Sequence, residues 1–323
     1  MEQRLDRRDS AASLNPAQRD MLAQLGARPG TKPTFRTALR ADLAAMLEDG
    51  LAAAAEQAGG EPLFIAKHAL ATVLACEAKH VGEQGHFSWS VPTAKGTIAH
   101  KAVELSIHWA DVEPLTLVDE VTHRLAKSDT SLGEFLAGLD AYERADLRSA
   151  VNDLVVKFLE CFPPIKDAWR PTSESSLRTE FLGGAIVVAG KADLVLGRSV
   201  GNETDPDSTV AGKVIVDYKT GGFNAVHIDD LRLYALVETM RLGVPPRLLA
   251  NYYLDAGRMH TEDVTEGLLE AAARRLVDGA LKLALVRDPA YVPIRTAGPQ
   301  CRFCPLSAEC PNGIAWFARN DNE

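Results

Sequence analysis

The stretch that most constrains this chain is Lys213–Tyr218 (KVIVDY), an almost unbroken apolar run rich in β-branched residues. It is too short for an ordinary helix. Strands read this way when both of their faces are covered, as in the middle of a sheet. The chain must therefore supply further strands beside this one and helices on both faces of the resulting sheet. Its 323 residues, 46% hydrophobic and 24% charged, suffice for one large domain or two modest ones without disulfide staples.

The surrounding sequence reads in two textures. Residues 1–33 are charged and rich in Gln, Gly and Pro, with a short helix expected at Pro16–Leu25. Thr34–Ala58 reads as one Ala- and Leu-rich helix stopped by Gly59–Gly60. Further helices are expected around Ala66–Lys79, after Gly96, and across Trp109–Trp169, including Thr130–Asp140 and Ala145–Glu160. Then the pattern turns β-rich. Ser176–Leu182, Ala185–Ala189 and Ala192–Leu196 read as short strands, the last two flanking Gly190, and residues 199–212 as a polar hairpin loop. Asp229–Leu242 reads as a helix, Arg247–Asp255 as a strand with a return strand after Ala256–Gly257, and Thr265–Val286 as a long helix. The tail from Pro289 is rich in Pro and Cys and reads as loop. No internal repeat is visible.

No apolar run approaches the roughly 18–20 residues that span a bilayer. Met1–Asp20 lacks the apolar core of a secretory signal, so a cytoplasmic location without membrane contact is expected. The net charge of −9 argues mildly against a nucleic-acid partner, since phosphate draws on basic surface. One basic groove can coexist with an acidic remainder, however, and a carboxylate metal site adds to the negative count. In such a setting the five cysteines, Cys76, Cys161, Cys301, Cys304 and Cys310, read as metal ligands or buried thiols rather than a disulfide framework.

Two segments carry chemistry: Gly190-Lys-Ala-Asp193 and Asp217-Tyr218-Lys219-Thr220-Gly221. Each aspartate sits at the polar end of an apolar strand, and the two strands are joined by the 199–212 loop. Antiparallel pairing would bring Asp193 and Asp217 together. Close carboxylates repel, and a divalent cation with a preference for oxygen ligands, Mg²⁺ or Mn²⁺, relieves the repulsion. Lys219 shares a face with Asp217, because strand side chains repeat every second residue. There it can orient or deprotonate the attacking water and offset charge on a phosphate. The plainer alternative is a strand-end ion pair. Near the C-terminus, Cys301-x2-Cys304-x5-Cys310-Pro311 places three soft ligands within ten residues. A closed four-coordinate site needs a fourth, from Cys76 or Cys161. Cys161 ends a helix and reads as a small buried hydrophobe.

In their order, GKADLVL, VIVDYKTG and DDLRLYALV resemble the core of the PD-(D/E)XK nuclease superfamily. They are most similar to its RecB-like exonuclease branch and to the CRISPR-associated nuclease that trims spacer precursors. The resemblance covers roughly residues 62–312. It implies a restriction-endonuclease-like α/β fold, with a mixed central sheet flanked by helices, a helical N-terminal region and a Cys-cluster tail. The expected organisation is a mobile or helical extension over 1–60 and a nuclease domain over 61–323. That domain would contain a helical insertion at 110–170 and the cysteine tail at 299–312. Gly96-x3-His100 matches the family's upstream histidine motif. The resemblance thus implies His100, Asp193, Asp217 and the Tyr218 carbonyl as Mg²⁺ or Mn²⁺ ligands, with Lys219 as the catalytic lysine. Glu180 matches a position often acidic in the family, and a structural salt bridge explains it equally well. The family's Q-x3-Y helix has its tyrosine at Tyr234, but Asp230 stands in place of the glutamine. An aspartate accepts hydrogen bonds and can meet the lysine, yet cannot donate as an amide does.

The same resemblance extends to the family's cysteine-bearing subset. It implies a [4Fe–4S] cluster on Cys76, Cys301, Cys304 and Cys310, with structural Zn²⁺ as the alternative. The implied activity is metal-dependent hydrolysis of DNA, as an exonuclease on single-stranded or end-bearing DNA in repair, recombination or defence. A helicase or another repair or defence partner would supply any unwinding, because the chain has no G-x4-G-K-[ST] phosphate loop. Two other classes compete: a catalytically inactive DNA-binding or assembly subunit with a four-cysteine site, and a zinc-ribbon module that binds a partner.

Overall fold

Leu39, Leu43, Leu47 and Leu51 recur at helical spacing, and their alignment gives one helix a continuous apolar stripe. That helix and its sheet define one half of the fold. The computed structural model describes residues 14–27, 30–85, 87–109, 111–128 and 130–320; residues 1–13, part of the stretch read as a polar N-terminus, lie outside them. In chain order the elements are α1 (Pro16–Leu25), β1 (Thr34–Arg36), α2 (Leu39–Gln57), β2 (Leu63–Ile65), α3 (Lys67–Ala75), α4 (Glu77–Glu83), α5 (Val91–His108), α6 (Pro114–Ala126), α7 (Ser131–Gly138) and α8 (Ala141–Cys161). They continue with β3 (Thr172–Phe181), β4 (Ile186–Leu196), β5 (Val200–Gly201), β6 (Ser208–Val210), β7 (Val214–Lys219), α9 (Val226–Leu242), β8 (Leu248–Tyr253), β9 (Arg258–Asp263), α10 (Glu266–Leu285) and α11 (Pro311–Asn320).

The α/β architecture is a six-stranded mixed sheet between two helical layers. Its order is β2-β4-β7-β8-β9, with β3 also paired to β4. β2 runs parallel to β4 and β7 parallel to β8, while the β3–β4, β4–β7 and β8–β9 pairs are antiparallel. On one face α2, α3, α9 and α10 bury Leu47, Leu51, Leu236 and Leu276 against Ile186, Val188 and Ile215. On the other face α1 and α5–α8 bury Ile98, Val151 and Phe158 against Leu194, Val216, Tyr218 and Tyr252. As its composition implied, β7 is covered on both sides.

The long strand β4 organises the rest. One of its edges pairs with β3 along most of its length. The other edge meets β2 at Ile186–Val188 and β7 at Leu194–Leu196. Between these two pairings Ala189–Asp193 has no strand neighbour on that edge among the described residues. β2 and β7 approach this notch from opposite ends, and each leaves the sheet there.

Several local expectations change. Thr34–Arg36 is a strand rather than the start of a helix, because it pairs with Ser208–Val210. The 199–212 segment is thereby drawn into a second sheet, β1-β6-β5. The helix expected at Ala66–Lys79 is broken at Cys76, whose backbone is extended (φ −168°, ψ 114°). The strands expected on either side of Gly190 are one strand. α5 begins before Gly96, where Ser90 and Thr93 form a capping box around Pro92, a combination that fixes a helix start.

α2 belongs to the core: Leu47 is 0% exposed. Leu47→Ala should lower the unfolding free energy by about 3 kcal/mol, the usual cost of a fully buried leucine, read from urea denaturation. A change below about 1 kcal/mol would mean that α2 is only loosely docked.

Candidate active site

The notch in the sheet gathers polar groups from five elements. Asp217, near the end of β7, is 1% exposed. Its Oδ1 accepts a hydrogen bond from Lys67 Nζ at 3.0 Å, and its Oδ2 lies 2.7 Å from Lys219 Nζ. Burial alone would raise the Asp217 pKa, but the Lys67 and Lys219 ammonium groups outweigh it and hold the carboxyl below its ordinary range. For Lys67 burial likewise works against the charge, and Asp217 more than compensates, so its pKa is raised. Each oxygen of the buried Asp217 carboxylate thus faces an ammonium group.

Asp193 serves a different purpose at the strand junction. The β4–β7 ladder stops at Leu194↔Val216. Beyond it the Tyr218 N–H donates to Asp193 Oδ2 at 2.6 Å, so a carboxylate replaces the missing backbone acceptor. Asp193 Oδ1 lies 3.3 Å from His100 Nδ1 on α5. α5 can come this close because Gly96 faces the end of β7, where a Cβ would sit 3.1 Å from Thr220 Oγ1. The Tyr218 ring points into the opposite core and packs edge-on against Phe158 and Tyr252, which fixes the backbone that carries its carbonyl.

The α9 residues close the notch. Asp230 Oδ2 lies 3.4 Å from Lys219 Nζ. Tyr234 Oη accepts the Lys191 N–H at 3.3 Å, one of the amides on the open edge of β4. The Tyr234 ring lies 5.1 Å from Lys67 Nζ, within cation–π range. Gly190 is required here: a Cβ would run into Tyr234 Cε1. Glu180 is not part of this group. It pairs with the Arg178 guanidinium at 2.6 Å and faces Val187 in the ladder, about 20 Å of strand from Asp193 at the usual rise.

The site therefore consists of two linked pairs, His100–Asp193 and Asp217–Lys219. Among the described residues no three His, Cys, Asp or Glu side chains are gathered closely enough to hold a metal ion. Sequence reasoning missed Lys67. The signal was a lysine at the first position of a helix directly after a short apolar strand, LFIAK, and only the topology aims it at Asp217.

The cysteines converge elsewhere. Cys76, Cys301, Cys304 and Cys310 line one small cavity together with Lys79 and Gln300. Cys161 lies apart, beside Gly257. The Cys304 thiol is pushed up chiefly by burial. The tail is held to α4 by Glu77, a second residue that sequence reading missed. Glu77 is 3% exposed and accepts from the Ile294 N–H and Tyr291 Oη, both at 2.9 Å, and from Lys282 Nζ at 3.1 Å. Burial opposes its charge, and these three donors reverse the effect and lower its pKa.

Lys67→Met should destabilise the metal-free protein by about 1–3 kcal/mol near neutral pH, the range for a buried charge that loses one partner. Because Lys67 and Lys219 hold the folded Asp217 below its ordinary range, its contribution is present above the unfolded carboxylate pKa and lost as pH falls through the depressed value. In the variant the loss on acidification should be smaller and should end at a higher pH. Urea denaturation across the acid range tests this, and superimposable wild-type and variant curves would show the contact to be slack.

A sequence model of the PD-(D/E)XK nuclease superfamily matches residues 66–311. No curated protein matches the chain. Among solved structures it is similar to a "Putative exonuclease" from Eubacterium rectale, at 11% identity over 76% of this chain and 87% of that one, with a TM-score of 0.44. It is also similar to SSO0001, at 13% identity over 82% of this chain and 94% of that one, with a TM-score of 0.33. The matched segment runs from the residue before Lys67 through both aspartates and Lys219 to the residue after Cys310, and this chain belongs to the PD-(D/E)XK nuclease superfamily.

Proposed function

We propose that the protein is a divalent-metal-dependent deoxyribonuclease of the RecB-like branch, an exonuclease acting on single-stranded DNA ends in repair, recombination or defence. The observation that carries this reading is the buried Asp217 carboxylate, with Lys219 at 2.7 Å, beside an Asp193 held by the Tyr218 N–H and His100. Membership of a nuclease superfamily implies a nucleic-acid substrate and phosphodiester chemistry.

The donor types suit Mg²⁺ or Mn²⁺: two carboxylates, one imidazole and the Tyr218 carbonyl. When bound, such an ion polarises the phosphate and makes the attacking water more acidic. Asp193 and Asp217 would hold the ion from adjacent strands, with His100 beside Asp193. Lys219, kept in place by Asp217 and Asp230, would face the scissile phosphate and offset the charge that develops there. Lys67 would keep Asp217 ionised.

For the tail we propose a [4Fe–4S] cluster on Cys76, Cys301, Cys304 and Cys310, supported by their shared cavity. It would tie the C-terminal tail to the break between α3 and α4, next to the Glu77 clamp. Zn²⁺ on the same thiolates is the alternative.

A second reading, a non-catalytic DNA-binding or assembly subunit, is favoured by one observation: ammonium groups already neutralise Asp217, with no gathered trio of ligands among the described residues. Mn²⁺-dependent degradation of end-labelled single-stranded DNA separates the two. Wild type should degrade it, and Lys219→Ala should be slower by at least about a hundredfold, as when one charge-stabilising group is lost. Equal behaviour would sink the nuclease reading.

Protein purified without oxygen should be brown, with absorbance near ~400 nm from thiolate-ligated iron, and Cys304→Ala should lose that colour. A colourless wild type containing zinc would replace the cluster with a structural Zn²⁺ site.

A further inference from the structure

We propose that Phe223 is the exposed face of a stacking step that receives an unpaired nucleobase of the strand held in the active site. The idea rests on the nuclease reading and deepens it. Phe223 lies four residues beyond Lys219, on the loop from β7 to α9, and is 62% exposed. A phenylalanine left in water is ordinarily free to fold back onto the surface. This one is braced: its ring meets the edge of His260 on β9 at 5.6 Å and 68°, and Tyr253 on β8 at 6.1 Å and 48°. Tyr253 is braced in turn by His227 on α9, with ring centroids 5.8 Å apart and Nδ1 3.2 Å from the tyrosine oxygen. Burial, and then the Lys219 charge, lower the His227 pKa, so this buttress is a neutral ring at neutral pH. Three rings from β8, β9 and α9 thus hold the Phe223 face outward at the end of the strand that carries Asp217 and Lys219.

The surroundings suit a single strand. Gly221 and Gly222, between Lys219 and Phe223, have open space where side chains would stand. A nucleotide can therefore lie between the lysine and the ring. Arg258 is exposed on β9, two residues from His260 and hence on the same side of that strand. It forms no ion pair among those found for the described residues, which leaves its guanidinium free for the phosphate next along. A braced ring with a free cation beside it suits single strands bound with little regard to sequence, because every base has a π-face. In a duplex the bases are stacked on each other and cannot reach it.

The test uses the full-length protein without divalent metal, so that DNA binds without being cut. Affinity is read by fluorescence anisotropy for a short single strand, for the same strand with abasic sites near its end, and for a blunt duplex. Phe223→Ala should weaken binding to the single strand by about fivefold to a hundredfold, the range for one stacked base. Phe223→Trp should retain it, and neither variant should alter duplex binding. On the abasic strand wild type and Phe223→Ala should converge. Equal single-strand affinities for wild type and Phe223→Ala, or equal losses on the intact strand, abasic strand and duplex, overturn the stacking step. If wild type still degrades single strands with Mn²⁺ in that case, only the stacking step has failed. A wild type that neither binds nor degrades DNA overturns both.

Discussion

Asp217 is a carboxylate taken almost wholly out of water, and the arrangement around the notch follows from keeping it ionised. Burying a lone charge costs several kcal/mol, and proteins compensate with partners of opposite sign in good geometry. Here the partners come from different directions. Lys219 shares the strand, and Lys67 opens α3. For Lys67 to reach, β2 must lie parallel to β4 and end beside the notch. For Lys219 to stay upright, α9 must present Asp230. The tyrosine of α9 then fills the space beneath Lys67, which leaves no room for a side chain at position 190. One buried charge thus links the placement of α3, β7, α9 and a glycine in β4.

The C-terminal tail is held in a different way. From Pro289 to the start of α11 the chain has little apolar core, and Val292 and Ile294 are exposed. Polar hooks secure it instead. Glu77 takes three donors, two of them from the tail. Cys76 Sγ accepts the Thr296 N–H at 3.4 Å, and Gln300 reaches back to the Ala75 carbonyl at 3.2 Å. All of these contacts meet the chain where α3 stops and α4 begins. The extended backbone at Cys76 ends one helix and starts the next, and this break turns the neighbouring peptide groups and side chains toward the tail.

What the sequence disclosed, and what it hid, follows from the range of the interactions involved. β7 was legible because an apolar run bounded by D-x-K is a local signal, and α9 and α10 because their apolar spacing is. Cys301, Cys304 and Cys310 lie within one short segment. Lys67, Glu77 and the β1–β6 pairing were not legible, since each depends on a partner far along the chain: Asp217, Tyr291 and Val210. In isolation Lys67 is one more lysine at a helix start and Glu77 one more helical glutamate. Thr34–Arg36 was absorbed into the helix that follows because three residues carry too little pattern to oppose nineteen. Asp230 was the intermediate case: its departure from the family pattern and its capacity to meet the lysine were visible, and the fold sets it 3.4 Å from Lys219 Nζ.

The net charge of −9 acquires a specific meaning at the site. Its basic side chains are already engaged. Lys101 and Lys191 both contact Glu174, at 3.0 and 2.5 Å, and Lys67 and Lys219 both contact Asp217. Glu174 holds this position with a positive φ of 52°, a conformation that costs a non-glycine residue energy and persists only where surroundings enforce it. A phosphate approaching such a site meets ammonium groups whose charge is spent on carboxylates, so simple attraction contributes little. On the proposed reading, the carboxylates must first be given another cation. Metal at Asp193 and Asp217 would free part of the charge on Lys67 and Lys219 for the phosphate, coupling substrate binding to metal binding. The contacts available without metal are the least electrostatic ones, chiefly the aromatic face at Phe223. An acidic chain can in this way handle a polyanion at one place while the rest of its surface repels it.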